Sequence, residues 1–220
     1  IFTGCLFEIK DNKLNVVAVD GFRLAWKSKF LQSKTNDFTA VIPGRTLNEI
    51  NKIILDSYDT IKIGVAKNQA LFEMENCKIV TRLLDGEFLN YSSVIPENWE
   101  TRIRVDKSAI QECFERISLI SSSSIEKEKK YPVKVNIDIG KVTISCTNQT
   151  GDAKEEMYIS TEGKNLEAGF NPKYFLDAFR AIDDQEVYID FGTSISPCII
   201  RPVEEGGDYV YMVLPIRMKE

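Results

Sequence analysis

The sequence predicts an α+β fold built from two copies of one unit, each an antiparallel sheet covered on one face by helices. Three observations carry this expectation. Strand-turn-strand patterns recur in the two halves, at CLFEIKDNKLNVVAVDG and VKVNIDIGKVTISCTNQTGD. Each is followed by a short strand that runs into a proline-marked helix start, FTAVIPGRTLNEINKII and LEAGFNPKYFLDAFRAI, with Pro43 30 positions after Lys13 and Pro172 31 after Lys141. Both halves then continue in extended segments, TIKIGVAKNQALFEMENCKIVTRLL and EVYIDFGTSISPCIIRPV, each read as strand, turn, strand. Repetition of order, beyond mere composition, is the mark of a supersecondary unit used twice. With 220 residues, 43% of them hydrophobic, the chain is long enough to bury a core in each unit.

In the first half, Asp11 and Asn12 occupy the hairpin turn, flanked by Leu6 and Glu8 and then by the alternating Leu14, Val16 and Ala18. AVDGFRLAW follows, where Asp20 and Gly21 are residues that tolerate positive φ, while Phe22 and Arg23 are more than a turn requires. In the helix after Pro43, Leu47, Ile50 and Ile54 recur on an inward face and Arg45, Asn48, Glu49 and Lys52 lie outside. The polar, proline-marked stretch PENWET divides a first domain, residues 1–100, from a second, residues 101–220. No helix precedes Cys5 to match the one read from residue 106 to residue 120, so the first domain is expected to be truncated at its amino end.

That second-half helix opens at Asp106 as N-cap, burying Ile110, Cys113, Phe114 and Ile117 and exposing Lys107, Gln111 and Glu115. Gly140 sits in the next turn, and Val142, Ile144 and Cys146 share one strand face. For the helix at Pro172, Asn171 is the cap and Pro172 fits the first turn. Phe175, Leu176, Phe179 and Ile182 form its apolar face, opposite Lys173, Asp177, Arg180 and Asp184, with Lys173 and Asp177 spaced as an i,i+4 ion pair. In YVYMVLPIRM, Tyr209, Tyr211 and Val213 alternate with Met212 and Leu214 until Pro215 ends ladder pairing. A methionine- and aliphatic-rich chain end suits an adaptable binding surface.

Composition narrows the function. The net charge of -5 supplies no overall basic field, although a local basic stripe remains open. Cys5, Cys77, Cys113, Cys146 and Cys198 stand singly among apolar neighbours and there is no histidine, so neither a CxxC pair nor an imidazole ligand set exists. Reduced thiols, with no apolar run of membrane-span length and no signal-peptide pattern, point to a cytoplasmic protein with no membrane role. Asp20, Asp85 and Asp106 sit at turns or a helix start, where a carboxylate has a structural use. Ser121–Ser124 lacks a hydrolase elbow and reads, with IEKEKK, as an exposed loop; GVAKNQ and DGFR are not phosphate loops, and EEGGDY is an ordinary turn. No nucleophile, base and orienter arrive together, which excludes an enzyme and implies no metal and no cofactor.

Taken in order, AVDGFRLAW, KIVTRLLDGEFLNYSSVIP and YVYMVLPIRM closely resemble the bacterial sliding clamp family, the beta subunits of DNA polymerase III. The resemblance covers all 220 residues, as a middle and a C-terminal domain. It implies chains of three similar domains joined as a homodimeric ring around duplex DNA, encircled without sequence preference. It also implies a non-enzymatic processivity factor whose partners, the replicative DNA polymerase, the clamp loader and repair proteins, insert short linear peptides with glutamine and terminal hydrophobics into a pocket between the last two domains. Carried onto this chain, the pocket draws on Phe2, Val19, Gly21, Phe22, Arg23 and Leu24, on Leu89, Ser93 and Val94, and on Met212, Leu214, Pro215, Ile216, Arg217 and Met218. Arg23 would offer a fixed fork of donors to peptide carbonyls, over an apolar floor of Leu24, Val94 and Leu214. Phe22, Leu89 and Ser93 stand where the family commonly has histidine, proline and arginine, which bears on peptide preference. Arg45, Lys52, Lys107, Lys173 and Arg180 lie on the helix faces that line the family's DNA hole. Without the first domain, a monomer or weak non-ring association is expected, binding linear duplex weakly. The alternative is a repeated α+β peptide-binding adaptor with no DNA role, recognisable by a groove without a positively lined helical surface; a small-molecule enzyme would need convergent titratable groups in a pocket.

Overall fold

The computed structural model of the chain describes residues 1–32, 34–54, 60–75, 77–122, 132–149, 151–204 and 206–218. Ser123, Ser124 and the IEKEKK tract lie outside the described residues. Two compact units result: Ile1–Gly21 with Trp26–Tyr91, and Phe22–Ala25 with Ser92–Glu220.

In the first unit, β1 (Gly4–Lys10) and β2 (Lys13–Val19) form the expected hairpin, with Lys10 paired to Lys13. Asp11 and Asn12 adopt φ of 51° and 63°, the left-handed pair that matches a two-residue turn to strand twist. At the second turn only Gly21 has positive φ, 85°; Asp20 does not, so glycine alone supplies that conformation. Strand β3 (Arg23–Phe30) contributes Trp26–Phe30 to this unit, and β4 (Phe38–Pro43) pairs with β1, placing Phe7 opposite Ala40 and Cys5 opposite Ile42. The strand order is β3-β2-β1-β4. Helix α1 (Gly44–Ile53) buries Ile50 against Phe7 and Ile42, with Leu47 partly buried beside them. Ile54 does not complete this face: it is the residue after the last turn and is exposed. The segment expected to hold two strands holds three, β5 (Lys62–Ala66), β6 (Gln69–Met74) and β7 (Cys77–Arg82), because Ala70, Phe72 and Met74 are buried in alternation and β6 pairs on both sides. Ala70 and Phe72 of β6 join the core formed by Phe7, Ile42 and Ile50.

The second unit opens with β8 (Thr101–Asp106) and α2 (Lys107–Ser122). The Asp106 carboxylate accepts from the Ala109 N–H at 2.8 Å, satisfying one of the helix's unpaired amides. Lys107, Gln111 and Glu115 are half-buried instead of fully exposed. Four strands, β9 (Val133–Asp138), β10 (Lys141–Asn148), β11 (Gly151–Tyr158) and β13 (Leu166–Phe170), form a sheet in the order β11-β10-β9-β13. This repeats the third-second-first-fourth order of the first unit. The other sheet runs from β12 (Ser160–Gly163) through β8, β14 (Glu186–Phe191), β15 (Cys198–Pro202) and β16 (Tyr209–Val213) to the start of β3. Between these strands, α3 (Pro172–Arg180) is capped by Asn171, whose side chain accepts from the Lys173 N–H at 3.1 Å, and has Pro172 in its first turn. Phe114, Phe170, Phe175, Phe179 and Phe191 gather in one core with Ile110, Ile117, Ile144 and Ile189. Every strand pairing described within either unit is antiparallel, and helices cover one face, an α+β architecture. Among the described residues no helix is long and apolar enough to cross a membrane.

Candidate functional site

Most of the residues singled out by the sequence lie in the second unit. Strand β16 ends at Val213, yet the chain stays extended: the Leu214 N–H donates to the Phe22 carbonyl at 2.9 Å. That bond joins the turn and the tail, which are 192 positions apart. Leu24 is fully buried and Met212 nearly so, at 8% exposure, whereas Leu214 and Pro215 are half-buried and Arg217 is exposed. Phe22 remains 61% exposed and Ile216 39%, leaving large apolar side chains open to solvent at this place. Ser93 ends a short 3-10 turn, Tyr91–Ser93, and is exposed; Val94 is half-buried.

Helix α3 holds the turn. Phe22 stacks on Tyr174 with ring centroids 6.4 Å apart, and the Arg23 guanidinium lies over the same ring at 4.6 Å. Arg23 Nη1 also donates to Asp177 Oδ2 at 2.6 Å. The expected Lys173–Asp177 pair is replaced by these contacts, since Asp177 is held by Arg23 and, at 3.7 Å, by Arg180. Part of the Arg23 fork is therefore occupied, and its orientation is fixed by a ring below and a carboxylate beside it. Tyr174 escaped the sequence reading, and Asp177 entered it only as a partner for Lys173. Their i,i+3 spacing on the outer face of α3 was the available signal, but it names no partner.

The tail is seated on β13. The Ile216 N–H donates to the Gly169 carbonyl at 2.7 Å, forming an isolated antiparallel bridge. Gly169 itself was not among the expected site residues.

Four residues expected in the peptide pocket lie in the first unit. Phe2 precedes β1 instead of lying within it, and meets Phe88 edge-on at 5.8 Å. Val19 ends β2, half-buried, and Gly21 forms the turn. Leu89 lines a groove of about 530 Å³ with Leu6, Glu8, Val41, Leu84 and Tyr91. In this groove the Tyr91 hydroxyl donates to Glu8 at 2.8 Å; burial and this carboxylate push the phenol's pKa up, so it stays a donor.

Of the five helix cations expected to face DNA, Arg45, Lys52, Lys173 and Arg180 are exposed and Lys107 is half-buried. Lys52 pairs with Glu49 at 2.8 Å, and Arg180 approaches Glu115 at 3.8 Å as well as Asp177. Four thiols are held in the protonated, weakly nucleophilic form: burial raises the pKa of Cys5, Cys146 and Cys198, and burial with Glu155 nearby brings Cys113 to about 12. Among the described residues no three His, Cys, Asp or Glu side chains are grouped to hold a metal ion.

The family described as DNA polymerase III beta subunit, C-terminal domain, matches residues 92–217, and the central domain of that subunit matches residues 1–90. The chain belongs to the DNA polymerase III beta subunit family, the beta sliding clamps, as central and C-terminal domains. It is 33% identical over 219 residues to the beta sliding clamp of Staphylococcus epidermidis, an alignment covering 99% of this chain and 57% of that protein. The crystal structure of the DNA polymerase sliding clamp from Bacillus subtilis matches with a TM-score of 0.93 at 28% identity, over 99% of this chain and 57% of that one. That of the DNA polymerase III beta chain from Streptococcus pneumoniae matches with a TM-score of 0.91 at 31% identity, over 99% and 58%. The chain thus spans little more than half the length of these relatives.

Proposed function

We propose that the chain serves as a non-catalytic processivity factor of the cytoplasm, part of a ring that encircles duplex DNA and tethers the replicative polymerase, the clamp loader and repair proteins through short linear peptides. The observation that carries this reading is the backbone bond from Leu214 to Phe22, with the exposed Phe22 ring and a fixed Arg23 both held on Tyr174 of α3. Rigid apolar anchors beside a positioned donor are what a short peptide needs, because little of its binding energy is then lost to ordering the site. Ser93, Val94, Met212, Pro215, Arg217 and Met218 are proposed as further contacts. The roles of Phe2, Val19, Gly21 and Leu89, in the first unit, rest on the family resemblance. For DNA, the proposed contacts are Arg45, Lys52, Lys107, Lys173 and Arg180. Carboxylates already engage Lys52 and Arg180, and a sparse, partly neutralised set suits a sliding surface, since tight phosphate pairing would impede motion.

Leu214→Ala tests the peptide reading. The side chain is half-buried and its backbone bond to Phe22 survives the substitution, so the fold should persist while affinity for a glutamine-led hydrophobic peptide falls by roughly 1–3 kcal/mol. Calorimetric titration and thermal melting on the same sample read both quantities. A folded variant with unchanged affinity removes Leu214 from the site.

A further inference from the structure

Gly169 lies inside β13, between buried Ala168 and buried Phe170, where glycine weakens a strand and has no side chain to pack. Its neighbours explain why it is there. A β-carbon at this position would stand 2.7 Å from Met218 Cγ, 3.1 Å from the Ile216 carbonyl oxygen and 3.2 Å from Met218 Sδ. Carbon atoms in contact settle at about 3.5–4.0 Å, so a methyl group would push the Met218 side chain aside and shift the Ile216 carbonyl by a few tenths of an ångström, loosening the tail on the strand. Close backbone approach is what a glycine in a strand interior permits.

The tail is pinned at two points, the Leu214 N–H on the Phe22 carbonyl at 2.9 Å and the Ile216 N–H on the Gly169 carbonyl at 2.7 Å. Between them Pro215 has no N–H to donate and a fixed φ, which stiffens the link. Displacing the second point therefore pulls on Leu214, whose own N–H is held by the Phe22 carbonyl. We propose that Gly169 is a positioning residue for the peptide surface: its missing side chain seats Ile216 and Met218 on β13 and thereby sets where Leu214 stands beside Phe22. The inference rests on the peptide-binding reading above and extends it to a residue that the peptide would not touch.

The test is a titration of four chains, unmodified, Gly169→Ala, Met218→Ala and Gly169→Ala/Met218→Ala, with one glutamine-led hydrophobic peptide. Thermal melting and amide exchange at Ile216 are measured on the same samples. Gly169→Ala should weaken binding by about tenfold and speed exchange of the Ile216 amide, because the preorganised tail is lost. In the Met218→Ala background the same substitution should cost less than about threefold, since two of the three atoms it strikes, Met218 Cγ and Sδ, are gone, a coupling that a merely structural role would not produce. Equal affinity of a folded Gly169→Ala chain overturns the positioning role and leaves the peptide reading standing. No binding by the unmodified chain overturns both. If Gly169→Ala does not fold, the unmodified chain decides: an Ile216 amide that exchanges slowly, and more slowly with peptide bound, supports the proposal, and one that exchanges at the random-coil rate overturns it.

Discussion

Replacing Phe175 with alanine should destabilise the second unit by about 3–5 kcal/mol, the range for deleting a large aromatic side chain from a filled core. Phe175 is 1% exposed and touches three other rings. It lies nearly parallel to Phe114 of α2 at 4.7 Å, edge-on to Phe170 of β13 at 5.2 Å and tilted against Phe179 at 6.0 Å. The cavity left behind is bounded by two helices and a strand, so it cannot close without moving all three. Trp99 in the second unit and Trp26 in the first provide separate fluorescence reports of urea unfolding. The Trp99 transition should shift to lower urea with its slope retained, and a loss under about 1 kcal/mol would show that the helices collapse into the space.

Asp190→Ala should cost about 3 kcal/mol. The carboxylate is 3% exposed and accepts two hydrogen bonds from the Arg102 fork, at 2.5 and 2.8 Å. Arg201 Nε lies 2.9 Å from Oδ2 but out of line for a hydrogen bond, so its contribution is electrostatic. Arg102 is in turn sandwiched between the rings of Trp99 and Tyr188, at 4.7 and 4.5 Å. Removing the acid leaves two guanidinium groups facing each other without their shared counter-charge. The loss belongs at the low end of the roughly 3–5 kcal/mol seen for broken buried pairs, because both arginines retain access to water. Asp190→Asn keeps the shape and an acceptor and should lose clearly less. Equal losses for the two variants would mean that charge is not what Asp190 provides.

Much of this fold was legible because its signals are local. Asp11-Asn12, Gly140, Asp106 and Asn171-Pro172 each act within a few residues, through turn and cap chemistry, and each is found in the expected role. Ile54 was misread because helical periodicity does not say where a helix stops, and α1 stops one residue earlier. The Asp190 network was illegible: a carboxylate in EVYIDF reads as outward-facing until Arg102, 88 positions away, and Arg201 are brought beside it by strand pairing. The candidate site divides the same way. Turn and tail could be named from their residues and from family resemblance, but the roles of Tyr174 and Gly169 and the pairing of Asp177 with Arg23 could not, because they depend on contacts made across the fold.

The central claim, that the turn and tail of the second unit form a surface for a linear peptide, is tested most directly by calorimetric titration of the unmodified 220-residue chain with a glutamine-led hydrophobic peptide and with its scrambled sequence. The expected result is saturable one-to-one binding in the micromolar range, about -8 kcal/mol, for the ordered peptide and none for the scrambled one. Absence of binding at high micromolar concentration, or equal binding of both peptides, would contradict it.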